Sequence, residues 1–340
     1  MTTRSVEVAD DRRLVVVERP IPAPGPGQVE VEVAYCGICG SDLHFRDVPE
    51  LFPAGTVPGH ELSGRVSALG EGVGDWSVGD RVSVLPFAQC GECELCLAGE
   101  EQVCPHAVAN GVGLGTGRPG GYAERVVVDA RMLFALPDDL DDAAATLAEP
   151  VAVGVHAVAK AGIEAGAPVA VVGAGPIGLV TALVLRARGV QRIVVVSRNA
   201  ARARAAQALG LATASVDDAV TEVQAALGGA PAAVFECAGT SSAATLALEL
   251  VRPLGRVVLV GIALEGLNIP ATAIVFKEAE LIGAVVYRRS EFAEAIDLLS
   301  RGQIPSDAMI TDIVPLERAE ATFQALTAEG NGHMKVLLEP

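Results

Sequence analysis

Residues Ala167 to Gly189 read APVAVVGAGPIGLVTALVLRARG, and they leave few folds open. Val169 to Val172 form a short apolar strand. Gly173, Gly175 and Gly178 follow as G-x-G-x-x-G, with Pro176 and Ile177 inside the turn and a helix after it. The first glycine makes the tight turn, the second lets backbone approach a pyrophosphate, and the third packs helix on strand. Pro176 suits a first helical turn and Gly189 a helix end. The phosphates would sit on the helix N-terminus. A second apolar run, Arg192 to Val196, completes strand–helix–strand. The segment reads as a dinucleotide-binding Rossmann unit.

The residues after Val196 predict which dinucleotide. An NAD site usually ends its second strand in Asp or Glu, which binds the ribose hydroxyls. Here Ser197 and Arg198 stand there, and Arg202 follows one helical turn later. A hydroxyl and two guanidiniums suit a 2′-phosphate, which a carboxylate would repel. The prediction is NADP(H) over NAD(H). Further αβ units follow: a helix over Ser242 to Val251, strands over Arg256 to Gly261 and Glu280 to Val286. This alternation predicts a parallel sheet with helices on both faces. Gly239 and Gly261 fall at strand ends, where the cofactor would cross. After about residue 289, EFAEAIDLLSRG and LERAEATFQALTAEG read as amphipathic helices returning to the first domain, ending in the strand MKVLLEP.

The first third has a different texture. Val29, Val31 and Val33 alternate with Glu30 and Glu32, the period of a half-buried strand. Short β-branched runs cut by Gly and Asp follow over Gly64 to Leu85, as in a small β-barrel. Trp76 reads there as a core plug. Cys90, Cys93, Cys96 and Cys104 are spaced C-x2-C-x2-C-x7-C. Four thiolates so close can enclose one tetrahedral ion with no open position, the pattern of structural zinc. The surrounding lobe is too polar to fold by its own apolar burial, so the metal must hold it. Upstream, CGICGSDLH spans Cys36 to His44, and PGHE contains His60 and Glu61. Cys39 and His60, with a carboxylate from Glu61 or Glu149, supply three ligands and leave a fourth position open, as in catalytic zinc. A thioredoxin-like use of Cys36 and Cys39 lacks the strand–motif–helix context. Cys36 and Cys237 read as inert buried residues.

The chain has 340 residues, too many for one ordinary core. It is 51% hydrophobic with a formal net charge of −17. That field repels phosphate backbones and anionic lipid, so neither nucleic acid nor membrane is an expected partner. No apolar run of transmembrane length occurs and MTTRSVEVADD has no signal-like core, so a cytoplasmic location is expected.

These motifs resemble those of the zinc-dependent medium-chain dehydrogenase/reductase family, which includes alcohol, sorbitol, threonine and butanediol dehydrogenases. The matches run in order along nearly the whole chain: CGICGSDLH, PGHELSGRV, the Cys90–Cys104 lobe, GGYAERV, LAEPVAVGVHAV and VVGAGPIG. The resemblance implies an α/β protein with a GroES-like β-barrel catalytic domain (1–153 and 290–340) and a Rossmann doubly wound cofactor domain (154–289). It implies two zinc ions per chain. Cys39, His60 and Glu149 would ligate the catalytic one, with Glu61 able to exchange. Cys90, Cys93, Cys96 and Cys104 would hold the other. Asp42 would orient His60. Ser41 and His44 would relay a proton. Sorbitol-type members carry an Arg-Tyr pair near substrate; here Tyr287 is present, but Val286 stands where the Arg would fall, which argues against a polyol. Arg288 is the one nearby substitute.

The reading is a zinc-dependent oxidoreductase moving hydride between NADP(H) and a secondary alcohol or diol, or its ketone, as a homodimer or homotetramer. The alternatives are an NAD-dependent polyol or amino-cyclitol dehydrogenase, a zinc-free quinone-reductase-like enzyme, and a silent zinc- or cofactor-binding scaffold. The last two sit poorly with the retained cysteines and with Ser41, His44, His60 and Glu149.

Overall fold

The computed structural model describes residues 2–115, 117–328 and 330–340. The chain divides into two compact units. One takes the described residues up to Glu149, Arg288–Ser300, and the described residues from Met309 to Pro340; the other takes Pro150–Tyr287 and Arg301–Ala308.

In the first unit, the valine alternation yields the long strand Gln28–Gly37. It lies at the centre of a mostly antiparallel seven-stranded sheet and pairs with three others, Glu61–Leu69, Arg125–Asp129 and Lys335–Glu339. Val29 and Val31 have no exposed surface. Glu32 faces solvent as the period requires, but Glu30 is buried. It is accommodated there because Ser67 Oγ donates to its Oε1 at 2.8 Å. Trp76 is no core plug: it is half-buried, packing on the margin of the core from a turn of exposed residues.

The register at the end of the central strand brings two motifs together. Gly37, ending that strand, pairs with Glu61, beginning its neighbour. Cys39 therefore leaves one strand beside the point where His60 enters the other. On the opposite edge Gly37 pairs with Leu337, which brings the Lys335–Glu339 strand alongside.

The second unit is a six-stranded parallel sheet. Its order is Ala212–Ser215, Ile193–Ser197, Val169–Val172, Ala233–Glu236, Arg256–Leu259, Glu280–Gly283. The order reverses between Val169–Val172 and Ala233–Glu236, the doubly wound arrangement. Val169–Val172 is wholly buried, as a central parallel strand must be. The last strand stops at Gly283, short of the expected Val286, and Val286 itself has φ 56, left-handed backbone that no strand accommodates. Helix Arg289–Ser300 follows. The later helical stretch resolves into a 3-10 turn, Leu316–Arg318, and an α-helix, Ala319–Thr327; Glu329, within the predicted stretch, lies outside the described residues. Among the described residues no helix is long and apolar enough to cross a membrane.

Candidate metal centres and dinucleotide site

The strand register gathers the first centre. Ligand atoms of Cys39, His60 and Glu61 all lie within 4.8 Å of one another. Cys39 is the N-cap of the short helix Gly40–Phe45, and its backbone N–H donates to Asp42 Oδ2 at 3.0 Å. Tyr122 donates its phenolic O–H to the same oxygen at 2.7 Å. That leaves Oδ1 of the fully buried Asp42 facing His60 Nδ1 at 3.4 Å. A proton held on Nδ1 frees Nε2 as a metal donor. Gly59 is required just upstream: its φ is +102, and a Cβ there would strike the Tyr122 ring and Cys36 Sγ. Burial would lower the His60 pKa, yet Asp42 and the Cys39 thiolate together hold it well above the ordinary imidazole value.

Glu61 has a partner that no sequence motif signals. Lys335 Nζ lies 2.6 Å from both Glu61 carboxylate oxygens and donates to the Ile38 carbonyl at 3.0 Å. Both side chains are almost fully buried. Burial alone would lower the Lys335 pKa, but Glu61, Cys39 and Glu149 raise it. Glu149 occupies the first turn of helix Ala148–Ala161 and is buried, but it lies outside the three-residue cluster. The donor set fits a dication. A thiolate, an imidazole and surrounding carboxylates converge in a buried space, and one lysine alone cannot balance their charge. Ser41 and His44 sit three residues apart on Gly40–Phe45; Ser41 is half-buried and His44 exposed.

The second centre is the cysteine lobe. Cys104 and Cys90 sulfurs are 3.6 Å apart, Cys90 and Cys96 3.9 Å, and Cys93 and Cys104 3.9 Å. A tetrahedron with Zn–S of about 2.3 Å requires S···S separations of about 3.8 Å. None of the seven cysteines forms a disulfide. Backbone N–H groups of Glu92 and Cys93 lower the Cys90 pKa to about 6, which favours the ligating thiolate. Burial and the neighbouring sulfurs push Cys96 up to about 12. Leu97 is 75% exposed, so the lobe buries little apolar surface of its own. The lobe is also fastened from outside. Arg288 donates to the Gly99 carbonyl at 3.0 Å and to Glu100 Oε2 at 2.8 Å, and the Arg289 N–H to Glu101 at 2.6 Å. Arg288 is thereby committed to the lobe and does not replace the arginine missing at Val286. Tyr287 has no exposed surface.

In the second unit Gly173 has φ +110, and a Cβ on Gly178 would overlap the Gly173 carbonyl. A Cβ on Gly175, the N-cap of Pro176–Ala187, would meet only Arg202 Nη1, at 3.6 Å. This open backbone at a helix N-terminus has the geometry that suits a diphosphate. Ser197 closes its own turn: its hydroxyl donates to the Asn199 carbonyl at 3.0 Å and accepts from the Asn199 N–H at 3.1 Å. Asn199 caps Ala200–Ala208, the helix that presents Arg202. Burial, then the neighbouring charge of Arg198, lower the Arg202 pKa. Two like charges so placed would be relieved by an anion. Gly239 and Gly261 pack against each other across adjacent strand ends.

Residues 25–138 match the alcohol dehydrogenase GroES-like domain, and residues 176–301 match the zinc-binding dehydrogenase domain. The chain belongs to the zinc-dependent medium-chain dehydrogenase/reductase family. It is 32% identical to a sorbitol dehydrogenase of Halalkalibacterium halodurans over 334 residues, 96% of this chain and 95% of that protein. It is 34% identical to the (R,R)-butanediol dehydrogenase of Bacillus subtilis over 324 residues, 91% of each. Among solved structures, a Sinorhizobium meliloti zinc-binding dehydrogenase bound to NADP superposes with a TM-score of 0.91 at 31% identity, covering 100% of both chains. An Escherichia coli alcohol dehydrogenase complexed with NADH gives 0.91 at 29% identity, covering 100% of this chain and 99% of that one.

Proposed function

We propose that this chain is a zinc-dependent dehydrogenase that transfers hydride between NADP(H) and a secondary alcohol or diol, or the corresponding ketone. The observation that carries it is the Cys39–His60–Glu61 cluster with Asp42 behind His60, in a chain that also has a Gly173–Gly178 dinucleotide turn. Zinc held by Cys39 and His60, with Glu149 or Glu61 as third ligand, would supply Lewis acidity toward the substrate oxygen. The chain's own residues do the rest. Asp42, fixed by Tyr122 and the Cys39 amide, sets the His60 tautomer. Lys335 donates to both Glu61 oxygens and so offsets the charge of the carboxylate in the cluster; Glu149, outside the cluster, is the other candidate for the third position. Ser41, half-buried beside Cys39, accepts the proton of the reacting hydroxyl, and exposed His44 hands it to water.

The NADP(H) preference rests on Arg198 and Arg202 and on the lack of a carboxylate after Val196. The second reading, an NAD-dependent polyol dehydrogenase, is favoured by the sorbitol dehydrogenase relative and the NADH-bound neighbour. Self-association is supported by exposed apolar side chains around the terminal Glu280–Gly283 strand, including Phe276, Val275 and Ile262. The test is a panel of secondary alcohols, diols, polyols and matching ketones, assayed with NADP(H) and NAD(H), beside the zinc content of the purified protein. About two zinc per chain and turnover of a secondary alcohol with NADP are expected. Absence of zinc, or faster turnover of polyols with NAD, overturns it.

A further inference from the structure

At the end of strand Ala233–Glu236 a carboxyl group is buried that the reaction does not use. Glu236 has no exposed surface. Its Oε1 accepts the backbone N–H groups of Ala238 and Gly239, both at 2.8 Å. Consecutive amides converging on one point form an anion-binding concavity, and here the chain fills it with its own side chain. The backbone carbonyl of the same residue accepts from Val260 at 2.9 Å and Gly261 at 3.0 Å, in the turn after the next strand. Oε2 is buried without a hydrogen-bond partner and lies 2.9 Å from where a Cβ on Gly261 would stand. Gly239, at φ +67, in turn leaves no room for a Cβ against the Ile262 carbonyl, 2.6 Å away. Glu236 thus pins together the turns that follow two neighbouring strands. Burial raises its pKa despite the amides that favour the charged form.

The place of this junction gives it a use. In a doubly wound sheet a dinucleotide crosses the carboxyl ends of the strands where their order reverses. Here the reversal lies between Val169–Val172 and Ala233–Glu236. The diphosphate turn and Arg202 belong to one side of it. The Ala238–Gly239 and Gly261 turns belong to the other, under the nicotinamide half. We infer that Glu236 is a positioning residue that shapes the nicotinamide-side cradle while leaving the adenosine side untouched. This rests on the dinucleotide reading of the Gly173–Gly178 turn.

The test compares, by calorimetry on the zinc-loaded protein, the Kd of NADPH with that of 2′-phospho-ADP-ribose, which lacks the nicotinamide. The pair NADH and ADP-ribose serves equally if the adenosine side takes NAD. In Glu236→Ala the advantage of the dinucleotide over its fragment should shrink about tenfold, while fragment affinity holds within about twofold. Glu236→Gln keeps an acceptor for both amides and should restore the advantage to within about threefold of wild type. Gly261→Ala keeps the carboxyl but presses a Cβ against the Gly239 backbone and Glu236 Oε2, and should shrink the advantage likewise, so the test does not rest on the alanine variant alone. Equal weakening of dinucleotide and fragment, an unchanged ratio, or a glutamine variant that fails like alanine overturns the inference. Failure of wild type to bind either ligand overturns the dinucleotide reading itself, a distinguishable result.

Discussion

Replacing Lys335 by Met should destabilise the metal-free first unit far more than an ordinary substitution. The ammonium touches both Glu61 oxygens at 2.6 Å, and side-chain exposure is 3% for Lys335 and 0% for Glu61. Methionine fills similar volume but strands a buried carboxylate beside the Cys39 thiolate. Removing one partner of a buried pair costs about 3–5 kcal/mol, because the other charge remains desolvated. Removing both with Lys335→Met/Glu61→Gln should recover most of that loss. Zinc should also blunt the single variant's penalty, since a bound dication can take over the compensation. The assay is urea unfolding of zinc-depleted protein, followed by tryptophan fluorescence. The chain has one tryptophan, Trp76, on the margin of the first unit's core, so the signal reports that unit alone. A single variant within about 1 kcal/mol of wild type, or a double variant no better than the single, refutes the reasoning.

Three further outcomes are expected from the geometry. Cys96→Ser should lower bound zinc from about two to about one per chain and raise amide exchange across 90–104, leaving His60 and its neighbours protected; unchanged zinc content would remove the metal from the lobe. Arg202→Ala should weaken NADPH binding about tenfold or more and change NADH binding by less than about twofold; parallel losses would show that Arg202 does not read the 2′-phosphate. Because the Glu236 pKa is raised above 4.5 in the fold, the native state holds a proton there that the unfolded chain releases. Stability is therefore lost as pH rises through that window, and Glu236→Gln should flatten this part of the Tm–pH curve; superimposable curves would contradict the shift.

What the sequence disclosed were features whose partners lie close along the chain. The GAGPIG turn and the Cys90–Cys104 spacing are local geometry, so the amino acids alone specify them. His60 was recognisable from its Gly and Glu neighbours. Lys335, Tyr122 and Arg288 were not, because strand register and long connections bring them to their partners. Lys335 reads as one charge in a C-terminal strand until Gly37 is paired with both Glu61 and Leu337. Tyr122 sits in GGYAERV, yet only the folded first unit brings its hydroxyl to Asp42, 80 residues away. Glu236 belongs to no sequence motif; its convergence on amides depends on backbone angles that no spacing encodes. Val286 gave a strand signal by residue type and was overruled by its backbone. Trp76 followed the rule that large aromatics fill cores, but the exposed turn around it keeps it at the margin.

The Lys335–Glu61 pair also places the metal centre in time. The two residues are 274 positions apart. At synthesis rates of about 5–20 residues per second, a ribosome needs about 14–55 s to travel between them. During that interval Cys39, His60 and Glu61 have emerged but Glu61 lacks its counter-charge, and the central strand lacks one neighbour. All six strands of the second unit's parallel sheet are encoded between them and are translated before Lys335. The nascent chain can therefore assemble its parallel-sheet unit first, while the candidate metal site around Cys39 gains its lysine only after that cysteine has spent most of translation outside the ribosome.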